Sequence, residues 1–208
     1  MSGARALLAL VAIAATAAGL LAGMDQLTRT RIADNEARKL LATLATVLPP
    51  SGYDNEPHLD WAWVPDPAAL GSADALPVYR ARLAGEPAVL VLSVVSPDGY
   101  VDRIRLLVGI DTAGRISGVR AVSHAETPGL GDGIQTDVSD WILGFDGRTL
   151  NDPASSWVLR RDGGEFDQLT GATITSRAVV NAVRAALTYA QANSPKLFTL
   201  APVTEAVE

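Results

Sequence analysis

Between Asp167 and Arg177 the chain reads Asp-Gln-Leu-Thr-Gly-Ala-Thr-Ile-Thr-Ser-Arg. Thr170, Thr173, Thr175 and Ser176 place four hydroxyls within seven residues. A hydroxyl can accept a phosphoryl group, but at neutral pH it is a poor nucleophile and needs a base or an enzyme to activate it. Gly171 and Ala172 leave almost no side-chain bulk beside Thr173, so a large group can approach the backbone there. The segment that follows, Ala178–Gln191, is predicted to be a helix, because Val179, Val183, Ala186, Leu187 and Ala190 recur at three- and four-residue steps. An anion held at Thr173 would therefore lie near a helix N-terminus, where free N–H groups and the dipole favour negative charge. The same hydroxyls also suit an ordinary helix cap. The residues alone leave both readings open.

The chain must supply elements that hold such a site. Its 208 residues suffice for one domain with a sizeable core and a short extra segment. With 17 Lys+Arg against 23 Asp+Glu the balance is acidic, which argues against a nucleic-acid partner. No cysteine is present, so the chain cannot itself ligate an iron–sulfur cluster or a thiolate zinc site. His58 and His124 are the only imidazoles. His58 sits in a polar stretch and reads as a solvated loop residue. No Gly-x-Gly-x-x-Gly follows a strand, so no dinucleotide site is visible.

Two strands, 78–84 and 88–95, are predicted around Gly85-Glu86-Pro87, followed by strands at 101–110 and 115–122. This is a meander of about four strands, and with flanking helices it suggests an α+β fold with a mainly antiparallel sheet. Ser51–Leu76 reads as a long irregular loop that carries Trp61 and Trp63 as isolated aromatics. Residues 134–145 read as a short helix and turn, and Trp157–Leu159 as an edge strand. Trp141, Trp157 and Phe166 read as core or rim residues. The Glu126-Thr127-Pro128-Gly129-Leu130-Gly131 loop has a bare backbone that a ligand could approach.

At the N-terminus, 19 residues from Ala6 to Met24 carry no charge. As a helix they would extend ~28 Å, close to the hydrocarbon core of a bilayer. A transmembrane anchor at 1–24 is expected, then a helical stalk at 25–50 ended by Pro49-Pro50, a domain at 51–193, and a tail at 194–208 that is flexible or docked on a partner. A cleaved signal peptide is the competing reading of the first segment. The basic residues after the span (Arg29, Arg31, Arg38, Lys39), set against Arg5 before it, would leave the domain in the cytoplasm.

Asp167-x-x-Thr170-Gly171-Ala172-Thr173 resembles the covalent flavinylation motif of the FMN-binding domain family. That family includes the G subunit of the Rnf electron-transport complex and the C subunit of the sodium-pumping NADH:quinone reductase. With ordinary residue frequencies the pattern arises by chance in roughly one chain of this length in a few thousand. The resemblance implies FMN joined by a phosphoester to Thr173, with Thr175 as the fallback position. It also implies that Thr170, Gly171 and Ala172 flank the cofactor and that Glu126, Thr127, Gly129 and Leu130 lie against the flavin. Arg177 is expected to help balance the phosphate charge. Asp167 would be read by a separate flavin transferase, which takes FAD and releases AMP. Likeness to the Rnf member of the family further implies an electron-relay subunit of an ion-translocating ferredoxin:NAD oxidoreductase. Its partners would be the other membrane subunits, flavin and iron–sulfur subunits among them. The domain would sit on the periplasmic side of the inner membrane, held by one span. The C subunit of the sodium-pumping quinone reductase is the alternative within this class. A membrane-tethered binding or assembly module that never receives flavin is the alternative outside it.

Overall fold

The computed structural model of the chain describes residues 2–203, without some side chains of the N-terminal helix and those of Ala154 and Ser155. The expected tail therefore lies partly, at 204–208, outside the described residues. The chain divides into two units between Leu41 and Ala42.

The first unit is most of one unbroken helix, α1 (Ser2–Val47). Leu7, Leu8, Leu10, Val11, Ile13, Leu20, Leu21 and Met24 are all exposed on it. Among the described residues no helix is long and apolar enough to cross a membrane. The span expected at 6–24 includes Ala6, Ala9 and Ala22, whose side chains lie outside the described set.

The second unit is built on a five-stranded sheet of β1 (Trp61–Trp63), β2 (Pro77–Leu83), β3 (Glu86–Ser96), β4 (Ile104–Asp111) and β5 (Ile116–Ser123). The strands lie in chain order and each pairs antiparallel with the next. Together with α2 (Thr173–Thr199) this makes an α+β domain with an antiparallel sheet and helices. Trp61 and Trp63 belong to a strand rather than an irregular loop. At three residues, β1 is too short to show an alternating pattern, and its pairing with Val78 and Tyr79 comes from tertiary contact.

β3 is buried from Val89 to Ser96 apart from the half-buried Ser93, because both faces of the sheet are covered there. One face presents Leu90, Leu92 and Val94 with their partners Ile110, Val108 and Leu106, and packs with Val179, Val183 and Leu187 of α2 in a single core. The other face carries the cross-strand row Trp61, Tyr79, Val91, Gly109, Gly118. The last turn of α1 packs there, with Leu44, Val47 and Leu48 all buried. Two glycines make the approach possible. A Cβ on Gly109 would meet the Val47 carbonyl oxygen at 2.6 Å, and one on Gly118 would meet Val47 Cα at 2.8 Å. The Ser117 hydroxyl donates to that same carbonyl at 2.6 Å.

Three expectations are corrected. α2 starts at Thr173, five residues before the expected Ala178, and runs through Pro195 to Thr199, so 194–199 is helix rather than tail. Burial of Leu197 and Phe198 offsets the backbone bond that Pro195 removes. Arg80 and Arg82 also satisfy the last carbonyls, donating to Leu200 O at 2.5 Å and Phe198 O at 2.8 Å. Trp157–Leu159 is not an edge strand. It is a 3-10 turn (Ala154–Trp157) followed by one parallel bridge from Leu159 to Phe166. Trp157 closes instead on Phe145 and Phe166, with ring centroids 6.4 and 5.7 Å away. The segment expected as a short helix and turn, 134–145, begins at the end of one 3-10 turn (Gly131–Ile134) and closes with a second, Trp141–Phe145, so its helix is 3-10 and contains Trp141.

Candidate functional site

A pocket of about 700 Å³ opens where three segments meet. They are the turn after β3 at Tyr100, the loop after β5 from Glu126 to Gly131, and the approach to α2 from Gln168 to Thr175. One side chain joins all three. Glu126 is 4% exposed, and its Oε1 accepts from the backbone N–H of Tyr100 at 2.9 Å and of Val101 at 3.3 Å. Its Oε2 accepts from the Thr175 hydroxyl. Gly131 packs so closely beneath that a Cβ on it would meet Glu126 Oε2 at 2.8 Å.

The N-terminus of α2 forms the floor. Its first intrahelical bond runs from Ser176 N to Ala172 O, so the amides of Thr173, Ile174 and Thr175 have no intrahelical acceptor. The residue before the helix, Ala172, has no side-chain oxygen, and Thr173 does not cap the helix either. Ser176 secures the entry to the helix instead, accepting from Leu169 N at 2.9 Å and donating to Ala172 O at 3.0 Å. No side-chain hydroxyl caps the first turn of α2, so neither Thr173 nor Ser176 serves as a plain helix cap. Gly171 makes the turn into the helix at φ +77°, where a Cβ would also meet Leu130 Cδ2 at 2.8 Å. This contact places the Glu126–Gly131 loop against the Thr-Gly-Ala-Thr segment, which are 40 residues apart in sequence by 171 − 131.

The four hydroxyls are not equivalent. Thr175 and Ser176 are fully buried and hydrogen-bonded. Thr170 is exposed, and Thr173 is half-buried. Thr173 Oγ1 accepts from Arg161 at 3.0 Å, and both residues line the pocket. Thr175 Oγ1, the fallback acceptor, is enclosed and donates to Glu126 Oε2, whereas Thr173 Oγ1 borders the pocket.

Of the residues expected at the site, Thr170, Gly171, Ala172, Thr173, Thr175, Glu126, Thr127 and Leu130 line the pocket. Gly129 does not; at φ +76° it turns the loop. Arg177 also points elsewhere, donating to Asp162 Oδ2 at 2.6 and 3.2 Å. Asp167 stands outside, paired with Arg160 at 2.8 Å, while its carbonyl accepts from Trp141 Nε1 at 2.6 Å. His124 is engaged structurally. Its Nδ1 accepts from Glu126 N at 3.2 Å, and its Nε2 lies 2.5 Å from the Gln135 amide. Arg161, Tyr100, Gln168, Ile174 and Gly131 complete the lining and were not among the expected site residues. Arg161 stands 12 residues before Thr173 beside a second arginine, and no spacing rule marks it out.

The FMN-binding domain family matches residues 99–188, which holds both loops of the pocket and most of α2. Similarity to proteins named as the G subunit of the ion-translocating oxidoreductase complex extends much further. The protein of Pseudomonas aeruginosa strain PAO1 is 48% identical over 187 residues, covering 88% of this chain and 86% of that protein. That of Pseudoalteromonas atlantica is 46% identical over 173 residues, covering 83% and 80%. That of Aliivibrio fischeri is 43% identical over 194 residues, covering 93% and 91%. With identity at this level along most of both chains, and a pocket assembled from the FMN-binding segment, this chain belongs to the Rnf-type G-subunit family of ion-translocating oxidoreductase complexes.

Proposed function

We propose that this chain is the electron-relay subunit of a membrane-bound, ion-translocating ferredoxin:NAD oxidoreductase of the Rnf type, and that it carries FMN joined by a phosphoester to Thr173 Oγ1. The observation that carries this reading is the position of Thr173. Its hydroxyl borders a pocket of about 700 Å³, beside a guanidinium and three first-turn amides without intrahelical acceptors.

The residues present fit the cofactor. The volume lies within the range of roughly 300–1,000 Å³ usual for small-molecule sites. A phosphodiester carries one negative charge, which Arg161 and the N-terminus of α2 would balance. Tyr100, Leu130 and Ile174 offer apolar surface for a ring system, and Thr127, Gln168 and Thr170 offer polar groups at its margin. Bound FMN would supply the redox chemistry, while the chain supplies position and electrostatics. A separate flavin transferase would load it from FAD, reading the segment that begins at Asp167.

The 6–24 stretch serves in this reading as a single membrane anchor, and the domain stands on the periplasmic side of the inner membrane. Support comes from 19 successive uncharged residues and from exposed leucines along α1, which lipid or neighbouring helices would cover. The partners are the other membrane subunits of the complex, flavin and iron–sulfur subunits among them.

Membranes carrying the Thr173→Ala chain test the function. Ferredoxin-driven NAD reduction should fall to background while the partner subunits remain assembled. Full activity in that variant would leave the chain a tethered assembly module.

A further inference from the structure

Two arginines stand in sequence before the Gly163 turn, and their partners differ. Arg160 is held by Asp167 at 2.8 Å. Arg161 reaches into the pocket and donates to Thr173 Oγ1 at 3.0 Å. Its own neighbour, Asp162, lies 4.0 Å from Arg161 Nε, so it could compete for the guanidinium. Arg177 limits that by closing on the other carboxylate oxygen, Asp162 Oδ2, at 2.6 Å from the first turns of α2, so Asp162 keeps only the 4.0 Å approach to Arg161.

We propose that Arg161 orients and activates the Thr173 hydroxyl for phosphoryl transfer, and that the Arg177–Asp162 ion pair limits the competition of Asp162 for its guanidinium. The inference rests on the reading of Thr173 as the flavin acceptor. A guanidinium can only donate, so it occupies one lone pair of Oγ1 and leaves the hydroxyl proton turned to another acceptor. A fixed positive charge at that distance favours the deprotonated oxygen. During transfer, Oγ1 bonds to the FMN phosphorus of FAD as the anhydride P–O bond breaks. AMP leaves with the bonding electron pair, and the hydroxyl proton passes to a base on the flavin transferase. The guanidinium stays beside the new phosphodiester and balances its charge.

The same geometry accounts for the choice among four hydroxyls. Thr175 and Ser176 are enclosed, and Thr170 is exposed without a contact to an arginine among the described hydrogen bonds. Thr173 combines access to the pocket with a cation on its oxygen. Arg177 acts at one remove, through Asp162.

The full chain, purified from cells lacking the transferase, would be incubated with FAD, a divalent cation and the flavin transferase. Intact mass is followed against time. Arg161→Gln should slow adduct formation about tenfold or more, the loss expected for one charge-assisted hydrogen bond to the reacting atom. Arg161→Lys should recover part of the rate, and Arg177→Gln should slow it severalfold. The defects should fall on the rate at saturating transferase, with the urea midpoint of the unloaded chain unchanged. A rate for Arg161→Gln equal to wild type would overturn the inference and leave Thr173 as acceptor. A defect confined to the transferase concentration giving half the maximal rate would also overturn it, since Arg161 would then serve docking. A wild-type chain that takes up no flavin would overturn the inference together with the reading beneath it.

Discussion

Replacing Glu126 with alanine would remove the one side chain that binds the Tyr100 turn, the Glu126–Gly131 loop and the N-terminus of α2 to each other. The Thr175 hydroxyl is fully buried and would lose its acceptor, at a cost of about 1–3 kcal/mol. Tyr100 and Val101 stand 65% and 57% exposed, so water can reach their amides. The two bonds to Oε1, at 2.9 and 3.3 Å, should then be worth only about 1 kcal/mol together. Removing the buried Cγ methylene adds about 1 kcal/mol. The total is roughly 3–5 kcal/mol. Glutamine preserves the shape and one acceptor oxygen, but forces the Thr175 hydroxyl to reverse its role, so about 1 kcal/mol is expected. Urea unfolding of the full chain, followed by tryptophan fluorescence, reads the difference. With a slope of about 2 kcal/mol per molar, Glu126→Ala should lower the midpoint by roughly 2 M, and Glu126→Gln by roughly 0.5 M. An alanine midpoint within about 0.3 M of wild type would refute the reasoning, as would equal shifts for the two variants.

Gly118→Ala should cost about 1–3 kcal/mol, because the new methyl would meet the backbone of Val47 rather than a side chain that can swing away. Faster proteolysis around residues 42–50 would report release of that turn, and unchanged protection would count against the packing described. Burial raises the Tyr79 hydroxyl from its ordinary value to about 12. Between the unfolded value near 10 and that figure the folded state retains a proton that the unfolded chain has lost. Stability should therefore fall with rising pH, by about 1.4 kcal/mol per unit across that window and not below it. Tyr79→Phe should flatten the slope, and an equally steep slope in the variant would assign it elsewhere. Phe145→Ala should cost about 3–5 kcal/mol, since Phe145 is fully buried against Trp141, Trp157 and Phe166. A loss below 1 kcal/mol would contradict the burial.

The four longer strands were legible because each is a run of β-branched and aliphatic residues closed by a Gly- or Pro-bearing turn. β1 was not, since three residues carry no period, and Trp61 is placed by its pairing with Tyr79. The start of α2 was misjudged because Thr and Ser read equally well as cap or first turn. Only the bond from Ser176 N to Ala172 O decides. Its end was misjudged because the sequence from Ser194 has little periodicity, whereas Arg80 and Arg82 reach in from β2, more than 100 residues earlier, to satisfy the carbonyls. At the site, the two local motifs were readable in one dimension and their meeting was not. Leu130 against Gly171 and Glu126 against Thr175 are tertiary facts. Arg177 was expected near the phosphate on proximity along the helix. The structure pairs Arg177 with Asp162 and sets Arg161 against the Thr173 hydroxyl.

The central claim is that Thr173 carries the flavin. The most direct test is the denatured intact mass of the protein from its native host, with peptide mapping, alongside Thr173→Ala, Thr170→Ala and Thr175→Ala. The expected result is one adduct of FMN less water, mapped to Thr173, absent in Thr173→Ala and retained in Thr170→Ala. Thr175→Ala should keep its adduct on Thr173 in whatever fraction folds. An unmodified mass from cells that contain the flavin transferase, or an adduct that persists in Thr173→Ala, would contradict the claim.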